Sequence, residues 1–131
     1  MFRRFIDWIY LKINIDKKER FIQIKEGEVY WCFLGENIGD EENGKGDVFR
    51  RPVLVFKKFN NSIFWGIPMS TKNKDSIYYV KVLLKDVEQS AMVSQLRILD
   101  TKRLDVNIGY ISKIDFLRVQ DSVINIIKNQ P

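Results

Sequence analysis

Pro52-Val53-Leu54-Val55-Phe56, then Asn60-Asn61, then Ile63-Phe64-Trp65-Gly66-Ile67 is the stretch that decides the fold. Each apolar run is too short for a stable helix and is rich in β-branched and aromatic residues, so each reads as a strand. Pro52 stands at the start of its run, where a missing N–H is tolerated. Asn60-Asn61 offers a tight turn because asparagine accepts positive φ. The two runs therefore predict a hairpin.

The same grammar extends outward. Residues 29–34, Val29-Tyr30-Trp31-Cys32-Phe33-Leu34, are apolar at successive positions, as in a strand buried on both faces. Residues 77–84 and 91–99 make two more runs, and short strands separated by turn signals predict a small barrel or sandwich. Helical spacing bounds this β region. Phe2, Phe5, Ile6, Ile9 and Ile13 form an i, i+3, i+4, i+7, i+11 stripe, expected to pack on the domain's own core, with a membrane surface as the alternative. Near the other end, Ser112 followed by Asp115 resembles a capping box, and Phe116, Val119, Val123, Ile126 and Ile127 trace a helix face. The expected architecture is mainly β: a helix, a five- or six-stranded barrel and a closing helix.

A chain of 131 residues suits one domain, 1–131, with 1–20 as a helical extension and 21–131 as the barrel core with its closing helix. No apolar run approaches the roughly 18 residues that span a bilayer, and the N-terminus lacks an uninterrupted signal-peptide core. One cysteine, Cys32, excludes an internal disulfide and fits a reducing cytoplasm; within its apolar run it reads as a packing residue. The net charge of +5 is compatible with a polyanionic partner. Histidine is absent, which removes histidine acid–base pairs, Ser-His and Cys-His nucleophiles and imidazole-ligated zinc. No cofactor or metal site is expected, so chemistry must come from arginine, lysine, hydroxyls or carboxylates.

Residues 35–50 form a long polar connection between the first two strands. Structureless loops beyond about 12–15 residues are uncommon in compact domains and are usually functional or disordered. The glycines Gly35, Gly39, Gly44 and Gly46 permit motion, and Val48 and Phe49 can pack or meet a base. The segment is expected to be mobile in the free protein and ordered by a ligand.

From Gly27 to Gly109 these landmarks resemble the MazF/PemK toxin family. Gly27-Glu28-Val29-Tyr30 is similar to its opening strand, and Gly39-Asp40-Glu41 with Gly44 to its loop signature. Arg51-Pro52-Val53-Leu54-Val55 is similar to its most specific strand, and Pro68-Met69-Ser70-Thr71 to a strand-ending Pro-x-hydroxyl segment. Gln95-Leu96-Arg97-Ile98-Leu99-Asp100, with Arg103-Leu104 and Ile108-Gly109, is similar to a later strand and its exit. The chain departs from the pattern in its N-terminal helix, in a few inserted residues near 45–49, and in Ser94, where some members are acidic.

The resemblance implies an SH3-like barrel of the CcdB/MazF/PemK type, a homodimer that cuts single-stranded RNA at short motifs without metal. It also implies a cognate antitoxin, with operator DNA met only through that antitoxin. Arg51 would be the main catalytic residue, its planar fork holding phosphate oxygens; without the resemblance it reads as a solvated residue before a proline. Ser70 would supply the second catalytic group. Glu41 would orient Arg51 or contact RNA, while Thr71, Lys72, Lys74, Gln95 and Arg97 are candidate RNA contacts, the last two alternating on one strand face. The trio Asp40-Glu41-Glu42 reads as a solvated acidic turn before it reads as a cation site. Two other functions fit the fold. A CcdB-like topoisomerase poison needs an aromatic tail, which Ile126-Ile127-Lys128-Asn129-Gln130-Pro131 lacks. A non-catalytic SH3-like RNA- or protein-binding module would leave Arg51 and Ser70 unused.

Overall fold

The computed structural model describes residues 2–20, 22–72 and 75–129. Two helices flank seven strands: α1 (Phe2–Asp16), β1 (Glu28–Phe33), β2 (Arg50–Lys58), β3 (Ile63–Ser70), β4 (Tyr79–Leu84), β5 (Val87–Met92), β6 (Arg97–Asp100), β7 (Leu104–Tyr110) and α2 (Lys113–Lys128). All strand pairs are antiparallel, in the order β4-β5-β3-β2-β1-β7, with β6 also on β3. β3 joins the two halves of the sheet. Its first residues pair with β6, its last two, Met69 and Ser70, with β5, and β2 lies along its other edge.

The β2–β3 hairpin forms as expected, by a different device. Asn60 Oδ1 accepts from the Ser62 and Ile63 amides at 2.7 and 2.9 Å, so the side chain closes the turn and positive φ is not used there. Positive φ occurs instead at Lys85 and Asp86, 49° and 65°, in the two-residue turn between β4 and β5. That is the conformation whose twist matches a hairpin. Residues 91–99 are not one strand. β5 ends at Met92, a 3-10 turn covers Val93–Gln95, and β6 starts at Arg97. The sheet turns a corner here, because β3 needs one partner at each of its ends.

Successive residues of β2 serve two cores. Leu54 and Phe56 join Ile67, Met69, Val82 and Val119 of α2 on one side. Val53 and Val55 join Cys32, Phe64, Leu99 and Leu104 on the other. A strand buried on both faces has no polar alternation to show, which is why its sequence is apolar throughout. Cys32 is fully buried there, and burial pushes its thiol up to about 12. On α2, Ser112 Oγ accepts from the Asp115 amide at 3.1 Å, the N-cap anticipated from sequence.

α1 corrects the sequence reading. The stripe Phe2, Phe5, Ile6, Ile9 and Ile13 faces outward, with Phe2 86% and Ile9 54% exposed. The buried face is Trp8, Leu11 and Ile15, equally helical in spacing, which packs with Phe33 and Phe49. Two apolar faces on one helix leave periodicity unable to choose between them, and the large indole decides. Trp8 lies 5.7 Å from the Phe49 ring and directly over Gly35. A Cβ on Gly35 would come within 2.1 Å of the Trp8 indole, and the residue sits at φ +81°. Gly35→Ala should therefore lower stability by about 1–3 kcal/mol, measured by urea denaturation, through both strain and overpacking. Among the described residues no helix is long and apolar enough to cross a membrane.

Residues 35–49 are folded against α1. Phe49 is buried, at φ +57°, the Gly44 amide donates to Gly35 O at 2.8 Å, and Asn37 Nδ2 donates to Glu42 O at 2.7 Å. Arg4 pairs with Glu36 at 3.0 Å and stacks its guanidinium on Phe49. The loop thereby gains a fixed course that places Glu42 and Asn43 beside β2.

Candidate active site

Arg51, near the start of β2, is only 6% exposed although it carries a full charge. Three acceptors converge on its guanidinium. Nε donates to Asn43 O at 2.8 Å, one terminal nitrogen donates to Met69 O at 3.3 Å, and the other pairs with Glu42 Oε1 at 2.6 Å. Five N–H donors exceed these three acceptors, so the plane of the fork is set without exhausting it. Burial lowers the Arg51 pKa, while the Glu42 carboxylate and Tyr79 oppose the shift. An arginine so placed stays charged at neutral pH.

Ser70 ends β3. Continuing the Val53–Pro68 register by two residues sets Ser70 across from Arg51, and antiparallel partners share a face. Ser70 Oγ accepts from the Lys72 amide at 3.2 Å, and Ser90 Oγ donates to Lys72 O at 3.1 Å, which turns the chain sharply after the strand. Thr71 is left exposed in that turn.

Arg51 and Ser70 line two adjoining cavities. The smaller, about 60 Å³, is also lined by Glu42, Lys45, Lys72 and Tyr79, so three cations and two hydroxyls surround a space near the size of an anionic group. The larger, about 370 Å³, extends along Trp31, Val48, Arg50, Pro52, Thr71 and Gln89. A still larger groove of about 800 Å³ lies between β4 and α2 and includes neither Arg51 nor Ser70. Positive charge converges at the first pair, which makes them the candidate site.

Several sequence candidates are thus brought together and others are not. Arg51, Ser70, Thr71 and Lys72 line these cavities. Lys74 lies outside the described residues. Glu41 does not meet Arg51; its Oε1 accepts from the Ile38 amide at 3.1 Å, and Glu42 takes the ion pair. Gln95 lies in the 3-10 turn and not on a strand with Arg97. It accepts from the Glu42 amide at 3.2 Å and donates to Asp40 O at 3.2 Å, so it holds the loop that delivers Glu42. Arg97 lines neither cavity; it stands near Arg103, whose pKa is lowered by burial and then by Arg97. Lys45 and Gln89 line these cavities although the sequence did not single them out, and Glu42, read from the sequence only as part of an acidic turn, lines the smaller one. Among the described residues no group of three or more His, Cys, Asp or Glu is arranged to hold a metal ion.

A buried arginine facing a strand-end serine, framed by lysines, thus sits on a mainly antiparallel β scaffold with terminal helices. Residues 25–127 match the family described as PemK-like, MazF-like toxin of type II toxin-antitoxin system, and the chain belongs to that family. α1 precedes the matched segment.

Solved structures agree on the fold. MazF from Deinococcus radiodurans, Form-I, superposes with a TM-score of 0.70 at 18% identity, over 82% of this chain and 98% of that one. An endoribonuclease from a mycobacterial species gives 0.62 at 14%, over 86% and 100%. A chain of the MazE–MazF Form-II structure from Deinococcus radiodurans gives 0.61 at 15%, over 84% and 99%. Curated protein sequences give no match.

Proposed function

We propose that this protein is an endoribonuclease that cuts single-stranded RNA at a short sequence motif, without a metal ion, through attack by the RNA's own 2′-hydroxyl. The observation that carries this reading is the anion-sized cavity shared by Arg51, Ser70, Lys45 and Lys72. Family membership supports the reaction class, since one structural relative is described as an endoribonuclease.

The reaction makes three demands. The 2′-hydroxyl proton must be removed, charge on a pentacovalent phosphorus must be stabilised, and the departing 5′-oxygen must gain a proton. The 2′-oxygen–phosphorus bond forms as the phosphorus–5′-oxygen bond breaks, leaving a 2′,3′-cyclic phosphate and a 5′-hydroxyl. Arg51 meets the second demand, its plane fixed before substrate arrives, which is how such donors contribute a few kcal/mol to a transition state. Ser70 adds a hydrogen bond to the same oxygens. Lys45 and Lys72 hold the phosphate and carry no sequence information. Glu42 is the carboxylate of this cavity and takes the 2′-hydroxyl proton, while the departing 5′-oxygen takes its proton from solvent water, to which Glu42 later returns the one it gained. A carboxylate has about four lone-pair sites, so pairing with Arg51 leaves capacity for that proton. Gln95 acts through Glu42, by holding its loop.

The active form is a homodimer, inhibited by a cognate antitoxin; a MazE–MazF complex among the structural relatives supports the latter. Sedimentation at micromolar concentration should give about twice the 15.6 kDa chain mass, and cleavage of a long RNA should proceed in excess EDTA at the rate seen with magnesium. A strict monomer that cuts RNA would remove the dimer. Activity lost with chelator and restored by magnesium would overturn the metal-free mechanism.

A further inference from the structure

Two buried side-chain polar atoms lack a hydrogen-bond partner among the described residues, Arg50 Nε and Gln89 Oε1. Native interiors satisfy most such groups, and each exception calls for an explanation. Both residues line the same 370 Å³ cavity. Gln89 is 9% exposed on β5, so water does not readily satisfy its amide. Arg50 is held in place on its other sides: a terminal nitrogen pairs with Asp105 at 2.6 Å, and the guanidinium lies 5.0 Å from the Trp31 ring centre. Trp31, Val48 and Pro52 supply apolar wall. A cavity of this volume with apolar walls and a few fixed polar groups has the character of a small-molecule site.

Its position names the ligand. Lys45, Arg51 and Ser70 belong to both cavities, so whatever fills the larger one is attached to the group held in the smaller. On the reading of the site as a ribonuclease centre, that group is the scissile phosphate, and its immediate neighbour is a nucleobase. We infer that the 370 Å³ cavity receives the base next to the scissile phosphate, and that Gln89 and Arg50 select this base by its hydrogen-bonding edge. Gln89 Oε1 takes an N–H of the base, and Arg50 Nε gives its proton to a carbonyl or ring nitrogen. A base that reverses donor and acceptor leaves both protein groups buried and unpaired, which is the strongest form of discrimination a small site can make.

Gln89→Leu tests the assignment. Exchanging a side chain whose buried amide oxygen lacks a partner for an apolar group of similar size should leave the melting temperature unchanged or raised, so lost selectivity would not reflect unfolding. Gln89→Met, of matching length, serves if the leucine variant does not fold. Cleavage sites of wild type and variant are mapped on a long RNA, and binding of 2′-deoxy hexanucleotides differing at one base is followed by fluorescence anisotropy. The inference expects one motif position, adjacent to the cut, to relax about ten- to a hundredfold, with the other positions unchanged. An unaltered motif, or equal relaxation at every position, would overturn it. If wild type cuts no RNA yet binds the hexanucleotides with a base preference that Gln89→Leu abolishes, the base site stands and the ribonuclease reading falls.

Discussion

Arg51→Ala slows single-turnover RNA cleavage by at least about a hundredfold, the scale of losing a principal oxyanion donor. The effect is large because no other residue lining the small cavity carries a planar fork, and Arg50, on the wall of the larger one, is paired with Asp105. Lys45 and Lys72 line the small cavity as point charges on flexible stems. Arg51→Lys should rescue little for the same reason, since an ammonium cannot meet Asn43 O, Met69 O and Glu42 in one plane and still present donors to a phosphate. Removing Arg51 also leaves the Glu42 carboxylate without its partner. The alanine variant's melting temperature must therefore be measured beside its rate. A rate loss with near-native melting assigns Arg51 to the chemistry, and near-normal cleavage by Arg51→Ala would remove it from the mechanism.

Ser70→Ala should cost roughly ten- to a thousandfold in the single-turnover rate, while Thr71→Ala changes mainly RNA binding. The structure supplies the reason that adjacent hydroxyls differ. Ser70 is the last residue of β3, faces the small cavity with Arg51 and is fixed by its bond to the Lys72 amide. Thr71 lies beyond the strand, exposed, on the wall of the larger cavity only. Ser70→Thr keeps the hydroxyl and should stay active. Single-turnover measurements with excess enzyme separate chemistry from affinity, and a dead Thr71→Ala beside a near-normal Ser70→Ala would reverse the two assignments.

Much of the candidate site's geometry was legible because its anchors sit on strands. Arg51, Pro52 and the apolar run behind them specify β2 by local pattern, and Pro68-Met69-Ser70 marks the end of β3. The cross-strand register then brings Arg51 and Ser70 together. What could not be read depends on distant contacts. The choice of Glu42 over Glu41 follows from the course of residues 35–49, set by Phe49 under α1, by Asn37, and by Gln95 some fifty residues further along the chain. Gln95 itself looked like a strand residue because the 3-10 turn at Val93–Gln95 interrupts an apolar run without a glycine or proline to announce it. On α1, two apolar faces of equal periodicity competed, and only the space above Gly35 decided for Trp8. Gln89 carried no local signal, since an amide on a strand reads as solvent-facing until its burial is seen.

The most direct test is the chemistry of the ends left on a long single-stranded RNA by the purified protein in excess EDTA. Cuts should fall at a recurring short sequence, each with a 2′,3′-cyclic phosphate upstream and a 5′-hydroxyl downstream, and none where the nucleotide 5′ to the scissile bond is 2′-deoxy. Intact RNA, 5′-phosphate ends, or cleavage that persists at the 2′-deoxy position would contradict the proposed function.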